Sequence, residues 1–319
     1  MDRIALITPA LAQANNGNWQ TARRWAGMLS NHYQVGVAGR WQGGDEQALI
    51  ALHARRSADS VLAWRQTHPR RPLVVVLTGT DLYRDILTDP LAQRSLELAD
   101  RLVVLQPLGL DALPPRHRSK TVVCIQSAPT RRTLAKSGRH LRALMVGHLR
   151  QEKSPQTWFD AALALRGRAD LLLDHIGAPL DAALGQQARA LSDALPTYRW
   201  LGALPHEATR RRIQAAHVLV HASQMEGGAH VVIEAVASGT PVLASRIAGN
   251  VGLLGEHYRG YFEWGDVAAL TTLLQRCRDD PAMLADLAQQ CAARAGLFHP
   301  AREQATLHAL LTVLLENRP

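Results

Sequence analysis

A buried strand that runs through a glycine turn into a helix constrains this chain more than any other feature. Residues 216–221 form an apolar run, which predicts a buried strand. The small-residue turn 226–228 follows, and residues 229–238 are predicted as a helix because Gly239 ends it. The next strand begins at Val242. This succession is typical of a parallel α/β sheet.

The loop of this segment is suited to binding an anion. The first N–H groups of a helix are unpaired, and its dipole is positive at that end. His230 and Glu234 are four residues apart, so both lie on one helix face. A carboxylate repels phosphate and is better placed to accept hydrogen bonds from neutral hydroxyls. An ordinary strand-loop-helix corner with solvated glutamates is the alternative at this stage.

Apolar runs alternate with helical patterns in both halves of the chain. Residues 73–77 are continuously apolar, which is typical of a central parallel strand. Residues 46–55 are predicted as a helix, and the polar, basic residues 127–140 as an inter-domain linker. A chain of 319 residues with this alternation predicts two doubly wound α/β domains.

Several protein classes are disfavoured by composition. The sequence has no run of about 18 apolar residues, so we expect no membrane span. The short N-terminal apolar run predicts a strand, not a signal peptide. The three cysteines are far apart, which favours a reducing, cytoplasmic location and disfavours disulfides or a thiolate metal site.

The charge balance is basic, with 36 Lys and Arg against 27 Asp and Glu. A nucleic-acid partner is the first class to weigh. The arginines are dispersed, however, and only 5% of residues are aromatic and none are interleaved with the basic pairs. We therefore expect no nucleic-acid partner. A small anionic substrate or an arginine-rich surface explains the charge equally well.

A second polar cluster follows the predicted strand 73–77. Ligands of open α/β sheets bind outside the carboxyl ends of the strands. Hydroxyl, carboxylate and guanidinium groups at this point therefore form a candidate site, although an ordinary turn with a helix cap is the alternative. The cluster consists of Thr78, Thr80, Asp81 and Arg84. A further strand-loop-helix corner holds Asn16, Gly17 and Asn18.

Two motifs in the second half resemble those of the retaining glycosyltransferases of family four. Glu226 and Glu234, separated by seven residues, resemble the paired-glutamate motif of that family. The segment 147–153 resembles its Gly-Arg-Leu-x-x-Glu-Lys motif, with His148 at the usual arginine position. The resemblance implies a GT-B fold, in which two facing Rossmann-like doubly wound domains are followed by a C-terminal helix that crosses back to the first. The implied acceptor-side domain, nucleotide-sugar domain and crossing helix are residues 1–138, 139–298 and 299–319.

The same resemblance implies a nucleotide-sugar donor and a transfer that needs neither a metal nor a cofactor. By analogy Arg150 and Lys153 would neutralise the diphosphate, because cations stabilise a departing nucleotide. Glu234 would bond the ribose and Glu226 the hexose hydroxyls. The implied donor-binding residues are His148, Arg150, Lys153, Ser223, Glu226, Gly227, Gly228, Ala229, His230 and Glu234. The residues implied in catalysis itself are Glu226, His230, Arg150 and Lys153.

A closer resemblance is carried by segments 16–22, 77–85, 146–150 and 249–255, which are similar to those of the selenosugar synthases of bacterial selenoneine biosynthesis. It implies that selenophosphate is joined to the anomeric carbon of a UDP-sugar, with UDP-N-acetylglucosamine as the expected donor. The residues expected to bind this small anionic acceptor are Asn16, Gly17, Asn18, Thr78, Thr80, Asp81 and Arg84. Two alternatives stay open: a family-four enzyme with a hydroxyl acceptor, and a nucleotide-sugar-binding protein without catalysis. The sequence leaves the oligomeric state open.

Overall fold

The computed structural model of the chain describes residues 1–11 and 17–316, which divide into two units. Each unit is assembled from segments that are separate in sequence. The first unit comprises the described residues of Met1–Ser127, Glu226–Gly228 and Pro300–Pro319. The second comprises Ala128–Met225 and Ala229–His299.

The first unit contains a six-stranded parallel sheet with the order β2-β1-β3-β4-β5-β6. Its strands are β1 (Arg3–Ile7), β2 (Gln34–Ala38), β3 (Ala48–Leu52), β4 (Leu73–Leu77), β5 (Arg101–Val104) and β6 (Thr121–Val123). Strand β1 pairs with both β2 and β3, so the strand order reverses between β1 and β3. In open α/β sheets such a reversal opens a crevice at the carboxyl ends of the strands.

Apolar side chains cover both faces of this sheet. Successive residues of a strand point to opposite faces, and Ile50 and Leu49 accordingly belong to two different buried clusters. The helices of the unit, numbered along the whole chain, are α1 (Gly17–Leu29), α2 (Ala58–Thr67), α3 (Ile86–Thr88), α4 (Pro90–Leu98), α5 (Pro115–Arg118) and α13 (Pro300–Glu316). Leu307 and Leu311 of α13 join the cluster that holds Trp25 of α1.

The prediction of a helix over residues 46–55 is wrong. The structure has strand β3 there, and all five of its residues are buried. The alanines and leucines of this segment have high helix propensity. However, β3 lies between β1 and β4 and pairs with both. A central parallel strand is apolar at every position, so its pattern does not differ from that of a buried helix.

A buried carboxylate attaches α13 to the first unit. Glu303 is 1% exposed and accepts hydrogen bonds from Trp25 Nε1 at 2.6 Å and from the backbone N–H of Ser127 at 2.8 Å. Trp25 donates to Oε1, whereas Ser127 and Arg24 Nε both donate to Oε2, the latter at 2.9 Å. Burial alone would raise the pKa of Glu303, but Arg24 and these hydrogen bonds outweigh it and lower the pKa. The carboxylate is therefore ionised in the folded protein at neutral pH.

The second unit contains another six-stranded parallel sheet, with the order β12-β11-β10-β7-β8-β9. Its strands are β7 (Leu141–Val146), β8 (Leu171–Ile176), β9 (Tyr198–Trp200), β10 (Val218–His221), β11 (Val242–Ser245) and β12 (Tyr261–Phe262). The strand order reverses between β7 and β10, which pair directly. The loops that follow these two strands therefore meet at the position where ligands of such sheets bind.

The helix predicted after the glycine turn is present as α9 (His230–Val236), and five of its seven residues are buried. The remaining helices of this unit are α6 (Pro155–Ala164), α7 (Ala182–Ala194), α8 (His206–Ala215), α10 (Ala248–Leu254), α11 (Val267–Asp279) and α12 (Pro281–Arg294). Within residues 1–11 and 17–316, no helix has both the length and the apolar content needed to cross a bilayer.

Candidate functional site

Two loops meet at the switch point of the second sheet, one after β7 and one after β10. They are joined by a backbone hydrogen bond, because the N–H of Gln224 donates to the carbonyl oxygen of Glu152 at 3.0 Å. The motif 147–153 and the start of the glycine turn are therefore neighbours in space. They are 70 residues or more apart in sequence.

The loop after β7 carries two cations. Arg150 and Lys153 are both half-buried; Arg150 directly precedes a short 3₁₀ turn, Gln151–Lys153, and Lys153 is its last residue. Nε of Arg150 is buried and has no hydrogen-bond partner among the described residues. Lys153 packs its methylene groups near Gly147, where an added Cβ would lie 3.4 Å from its Cγ. The loop thus presents positive charge at the carboxyl edge of the sheet.

His148 orders this loop and does not add to its charge. Its Nδ1 accepts a hydrogen bond from the backbone N–H of Ala178 at 3.1 Å. Burial lowers the pKa of His148, and the nearby Lys153 and Arg150 lower it further. The imidazole is therefore neutral at neutral pH. The positive charge of the loop comes from Arg150 and Lys153.

Hydrogen bonds of Ser223 stabilise the loop after β10. The residue is 1% exposed, and its carbonyl oxygen accepts a hydrogen bond from Ser245 Oγ at 2.6 Å. Its own Oγ lies 3.3 Å from Nε2 of His221. These contacts fix the backbone that leads into the glycine turn. Ala229, at the end of this turn, is 2% exposed.

Glu234 is the more buried of the two predicted donor-site carboxylates, Glu226 and Glu234. It is 4% exposed, and its Oε1 lies 2.5 Å from Nε2 of His206 and 3.4 Å from Nδ1 of His230. Arg210 Nε lies 3.8 Å from the same oxygen. Burial alone would raise the pKa of Glu234, but His230 and His206 outweigh it and hold the pKa well below its usual range. A buried, ionised carboxylate is thus fixed beside two imidazoles.

His206 and Arg210 were missed in the sequence analysis, although both contact Glu234. They lie four residues apart, and so on one face of α8, which packs against α9. Arg210 is 5% exposed, and its Nη2 donates to the carbonyl oxygen of Pro129 at 2.8 Å. The only pattern in the sequence that could have indicated them is the His-x-x-x-Arg spacing. This spacing places both side chains on one helix face, but it does not reveal that this face packs against α9.

The glycine turn itself, Glu226–Gly228, is grouped with the first unit. The N–H of Gly227 donates to the carbonyl oxygen of Thr78 at 3.1 Å. A Cβ at Gly227 would lie 2.2 Å from that oxygen, so only glycine allows this approach. Glu226 is half-buried. Gly228 is equally restricted, since an added Cβ would lie 2.7 Å from Cβ of Leu105.

In the first unit Asp81 orders the loop after β4. It is fully buried, and its Oδ1 accepts hydrogen bonds from the N–H groups of Thr78 and Gly79, each at 2.9 Å, and from the Thr78 hydroxyl at 3.1 Å. Its Oδ2 accepts from the N–H of Ala54 at 2.9 Å. Asp81 thus uses both oxygens to join the loops after β3 and β4. This arrangement corresponds to the structural alternative for Asp81.

His53, which the sequence analysis did not single out, supports Thr80. It follows β3, is 2% exposed and has a left-handed φ of 71°. Its Nε2 lies 3.1 Å from the hydroxyl oxygen of Thr80. Burial lowers the pKa of His53 more than the neighbouring Asp81 raises it. A strained, buried histidine therefore positions one of the predicted acceptor-binding hydroxyls.

Gly17, Asn18 and Arg84 also follow carboxyl ends of strands in this sheet. Arg84 is exposed, and its Nε donates to Oδ1 of the buried Asp85 at 3.0 Å. Gly17 and Asn18 begin α1, and the carbonyl oxygen of Gly17 accepts from the Thr21 hydroxyl at 2.8 Å. Asn16 lies outside the described residues.

Residues 126–295, more than half of the chain, match the family model described as "Glycosyl transferases group 1". The D-inositol 3-phosphate glycosyltransferase of Streptomyces avermitilis is 29% identical over 166 residues, which are 49% of this chain and 36% of that relative. The protein of the same name from Streptomyces scabiei is 26% identical over 304 residues, covering 86% of this chain and 66% of that relative. The chain thus spans less than two thirds of the length of either.

Solved structures with low sequence identity share the fold. Sucrose-phosphate synthase from Thermosynechococcus elongatus superposes with a TM-score of 0.80 at 17% identity, covering 99% of this chain and all of that structure. Anabaena Alr3699/HepE, solved with UDP-glucose, gives 0.80 at 15% identity over 98% of this chain and all of that structure. The predicted GT-B fold is confirmed, and the chain belongs to the group 1 glycosyltransferase family.

Proposed function

We propose that this chain is a glycosyltransferase that takes a sugar from a UDP-sugar donor held by the second unit. The observation that supports this most is the pair of joined loops at the switch point between β7 and β10. One loop carries Arg150 and Lys153, and the other leads to the buried carboxylate of Glu234. Cations for a diphosphate and a carboxylate for hydroxyls are the two kinds of group that a nucleotide sugar requires.

In this proposal the two loops divide the donor between them. Arg150 and Lys153 bind the diphosphate and stabilise the negative charge that grows on UDP as the glycosidic bond breaks. Glu234 accepts hydrogen bonds from the ribose hydroxyls, and Glu226 from the hexose hydroxyls. His230, whose Nδ1 lies 3.4 Å from Glu234, is proposed to lie beside the sugar. The reaction needs no metal, because these cations take its place.

Uracil is the proposed base of the donor, since the fold neighbour HepE is a protein solved with UDP and with UDP-glucose. The acceptor is proposed to be selenophosphate and the donor UDP-N-acetylglucosamine. An electron pair on selenium forms the Se–C1 bond, while the C1–O bond breaks and its electron pair leaves with UDP. The immediate product keeps the phosphoryl group on selenium. No general base is required, because the nucleophile is already anionic.

The first unit supplies the proposed acceptor site, formed by Asn16, Gly17, Asn18, Thr78, Thr80, Asp81 and Arg84. The Thr80 hydroxyl lies beside the buried His53, and Arg84 brings a guanidinium to the same edge. A guanidinium binds a compact oxyanion well. Asp81 acts by holding the Thr78–Gly79 backbone in place and not by contact with the acceptor.

A hydroxyl acceptor is the second candidate. It is favoured by the two Streptomyces relatives, whose name describes transfer to D-inositol 3-phosphate. Such an acceptor is also small and anionic, but it reacts through a neutral hydroxyl. The two candidates therefore predict different nucleophiles for the same donor.

One experiment separates these candidates. The purified chain is incubated with UDP-N-acetylglucosamine and either selenophosphate or D-inositol 3-phosphate, and UDP release and product mass are followed. We expect UDP release and a selenium-bearing sugar with selenophosphate, and a large loss in Glu226→Ala. The exposed Glu263→Ala serves as the matched control. Turnover with the inositol phosphate only would favour the second candidate, and UDP-sugar binding without turnover would favour a non-catalytic binding protein.

A further inference from the structure

Three metal-ligating side chains converge where α8 meets α9. They are His206 on α8 and His230 and Glu234 on α9, and one ligand atom of each lies within 4.8 Å of the other two. His230 and Glu234 are one helical turn apart, so the backbone of α9 holds them on one face. Because the third ligand comes from a packed neighbouring helix, the cluster is set by tertiary structure.

The spacing of these atoms suits a small tetrahedral ion. Ligand atoms about 2.0–2.1 Å from tetrahedral Zn²⁺ lie roughly 3.2–3.5 Å from one another. The separation between His230 Nδ1 and Glu234 Oε1 is 3.4 Å, and that between His206 Nε2 and the same oxygen is 2.5 Å. A small rotation of His206 would open the shorter distance to the required value. Its side chain is 37% exposed, so it has room to rotate and leaves a path for an ion.

Two imidazoles and one carboxylate form a ligand set that suits late first-row transition metals. Mg²⁺ and Ca²⁺ prefer an all-oxygen shell, so they are not expected here. We propose that His206, His230 and Glu234 form a binding site for a transition-metal ion of the Zn²⁺ type. The site supplies three protein ligands and leaves the fourth position to water, as open zinc sites do.

Arg210 limits how tightly this site holds its ion. Its Nε lies 3.8 Å from the Glu234 oxygen, and the side chain is 5% exposed. A guanidinium at this distance repels a divalent cation and competes for the carboxylate. Micromolar binding, weaker than that of a closed structural zinc site, is therefore expected.

The site also bears on the donor, and this step rests on the proposed function. If Glu234 binds the ribose of the UDP-sugar, an ion on the same carboxylate excludes the donor. Zn²⁺ would then act as an inhibitor that competes with the UDP-sugar. The proposed transfer itself uses no metal, so metal binding and turnover oppose each other.

The test is a titration of the metal-stripped full chain with Zn²⁺ against a chromophoric chelator, followed by Co²⁺ absorption spectra. One equivalent should bind at micromolar or lower concentration, and Co²⁺ should give visible d–d bands of a four- or five-coordinate site. His206→Ala and His230→Ala should each weaken binding at least about tenfold, since even outer-shell partners of metal ligands contribute that much. Arg210→Gln should strengthen it.

His32→Ala is the matched control, because His32 is exposed and also lies beside a second histidine, its ring centroid 4.4 Å from that of His308. Binding that is unchanged in both His206→Ala and His230→Ala, or that is lost in His32→Ala, would overturn the proposal. Circular dichroism spectra of each variant establish that it is folded, and His206→Gln provides a second removal of the ligand with similar volume. The metal titration contains no UDP-sugar, so its result tests metal binding independently of the proposed glycosyl transfer.

Discussion

The backbone N–H of Gln224 donates to the carbonyl oxygen of Glu152 at 3.0 Å, and this bond joins the loop after β10 to the loop after β7. Lys153 is the residue that follows Glu152. The positive charge of one loop is therefore fixed relative to the segment that leads into α9.

Lys153→Ala should weaken UDP-sugar binding by roughly 1.5–3 kcal/mol, the value of a hydrogen bond to a charged group. This corresponds to about a 10- to 160-fold increase in Kd. Isothermal titration calorimetry with UDP measures it, and Arg189→Ala, an exposed cation on α7, is the control. If both variants bind UDP as the wild type does, Lys153 does not contact the diphosphate.

His206→Ala should lower donor affinity although His206 lies outside the predicted donor residues. Its Nε2 lies 2.5 Å from Glu234, so the variant leaves a buried carboxylate with one partner fewer. Losing a hydrogen bond to a buried group costs about 1–3 kcal/mol. The KM for the UDP-sugar should rise more than kcat falls, because the carboxylate is proposed to bind ribose and not the reacting atoms. A fall in kcat at constant KM would contradict that role.

Glu303→Gln should destabilise the fold by about 3–5 kcal/mol, since it leaves Arg24 partly buried without its carboxylate partner. Urea denaturation measures the free energy of unfolding. Glu316→Gln, an exposed glutamate on the same helix, should change it by less than about 0.5 kcal/mol. Equal effects in the two variants would show that the buried ion pair adds nothing to stability.

The contribution of Glu303 to the free energy of unfolding should depend on pH. The pKa of Glu303 is lower in the folded protein than its ordinary value of 4.5, so its contribution is fully present above that value. It is lost as the pH falls through the folded pKa, because the protonated form binds Arg24 less well. Between pH 5 and pH 3 the wild type should therefore lose more stability than Glu303→Gln. Parallel pH profiles would argue that other acids dominate.

Asp81→Ala should destabilise the first unit by about 2–4 kcal/mol, because three backbone N–H groups lose a charged acceptor in a buried loop. Thermal unfolding and native-state hydrogen exchange at Thr78 and Gly79 are the measurements. The control is Asp59→Ala on α2, whose side chain is 70% exposed. Slow exchange at Thr78 and Gly79 in the Asp81 variant would mean that another group holds this loop.

The sequence predicted those parts of the fold that depend on local pattern. The alternation of apolar runs and helical periods was sufficient for two parallel sheets, and the glycine turn indicated α9 correctly. Residues 46–55 were not predictable in this way, because an alanine- and leucine-rich strand differs from a helix only through its neighbours β1 and β4. The error arose from tertiary pairing that overrides propensity.

The candidate site was predictable only where it depends on local sequence pattern. The loops after β7 and β10 could be found from sequence, because parallel strands bring their carboxyl ends to one edge. His206 and Arg210 could not, since their importance depends on which face of α8 meets α9. His53 is similar, because only the structure reveals its left-handed backbone and its contact with Thr80. Side-chain partners from separate elements are set by packing.

The contact between Arg24 and Glu303 joins positions 279 residues apart, and this has a consequence for how the protein is made. The ribosome completes every strand of the first sheet long before it reaches α13. Until the last helix is synthesised, the part of this sheet face that will hold Leu307 and Leu311, beside α1, stays open to solvent. The N-terminal unit therefore finishes folding only after the second unit has been translated. A fragment that ends at Ser127 would keep that face uncovered permanently.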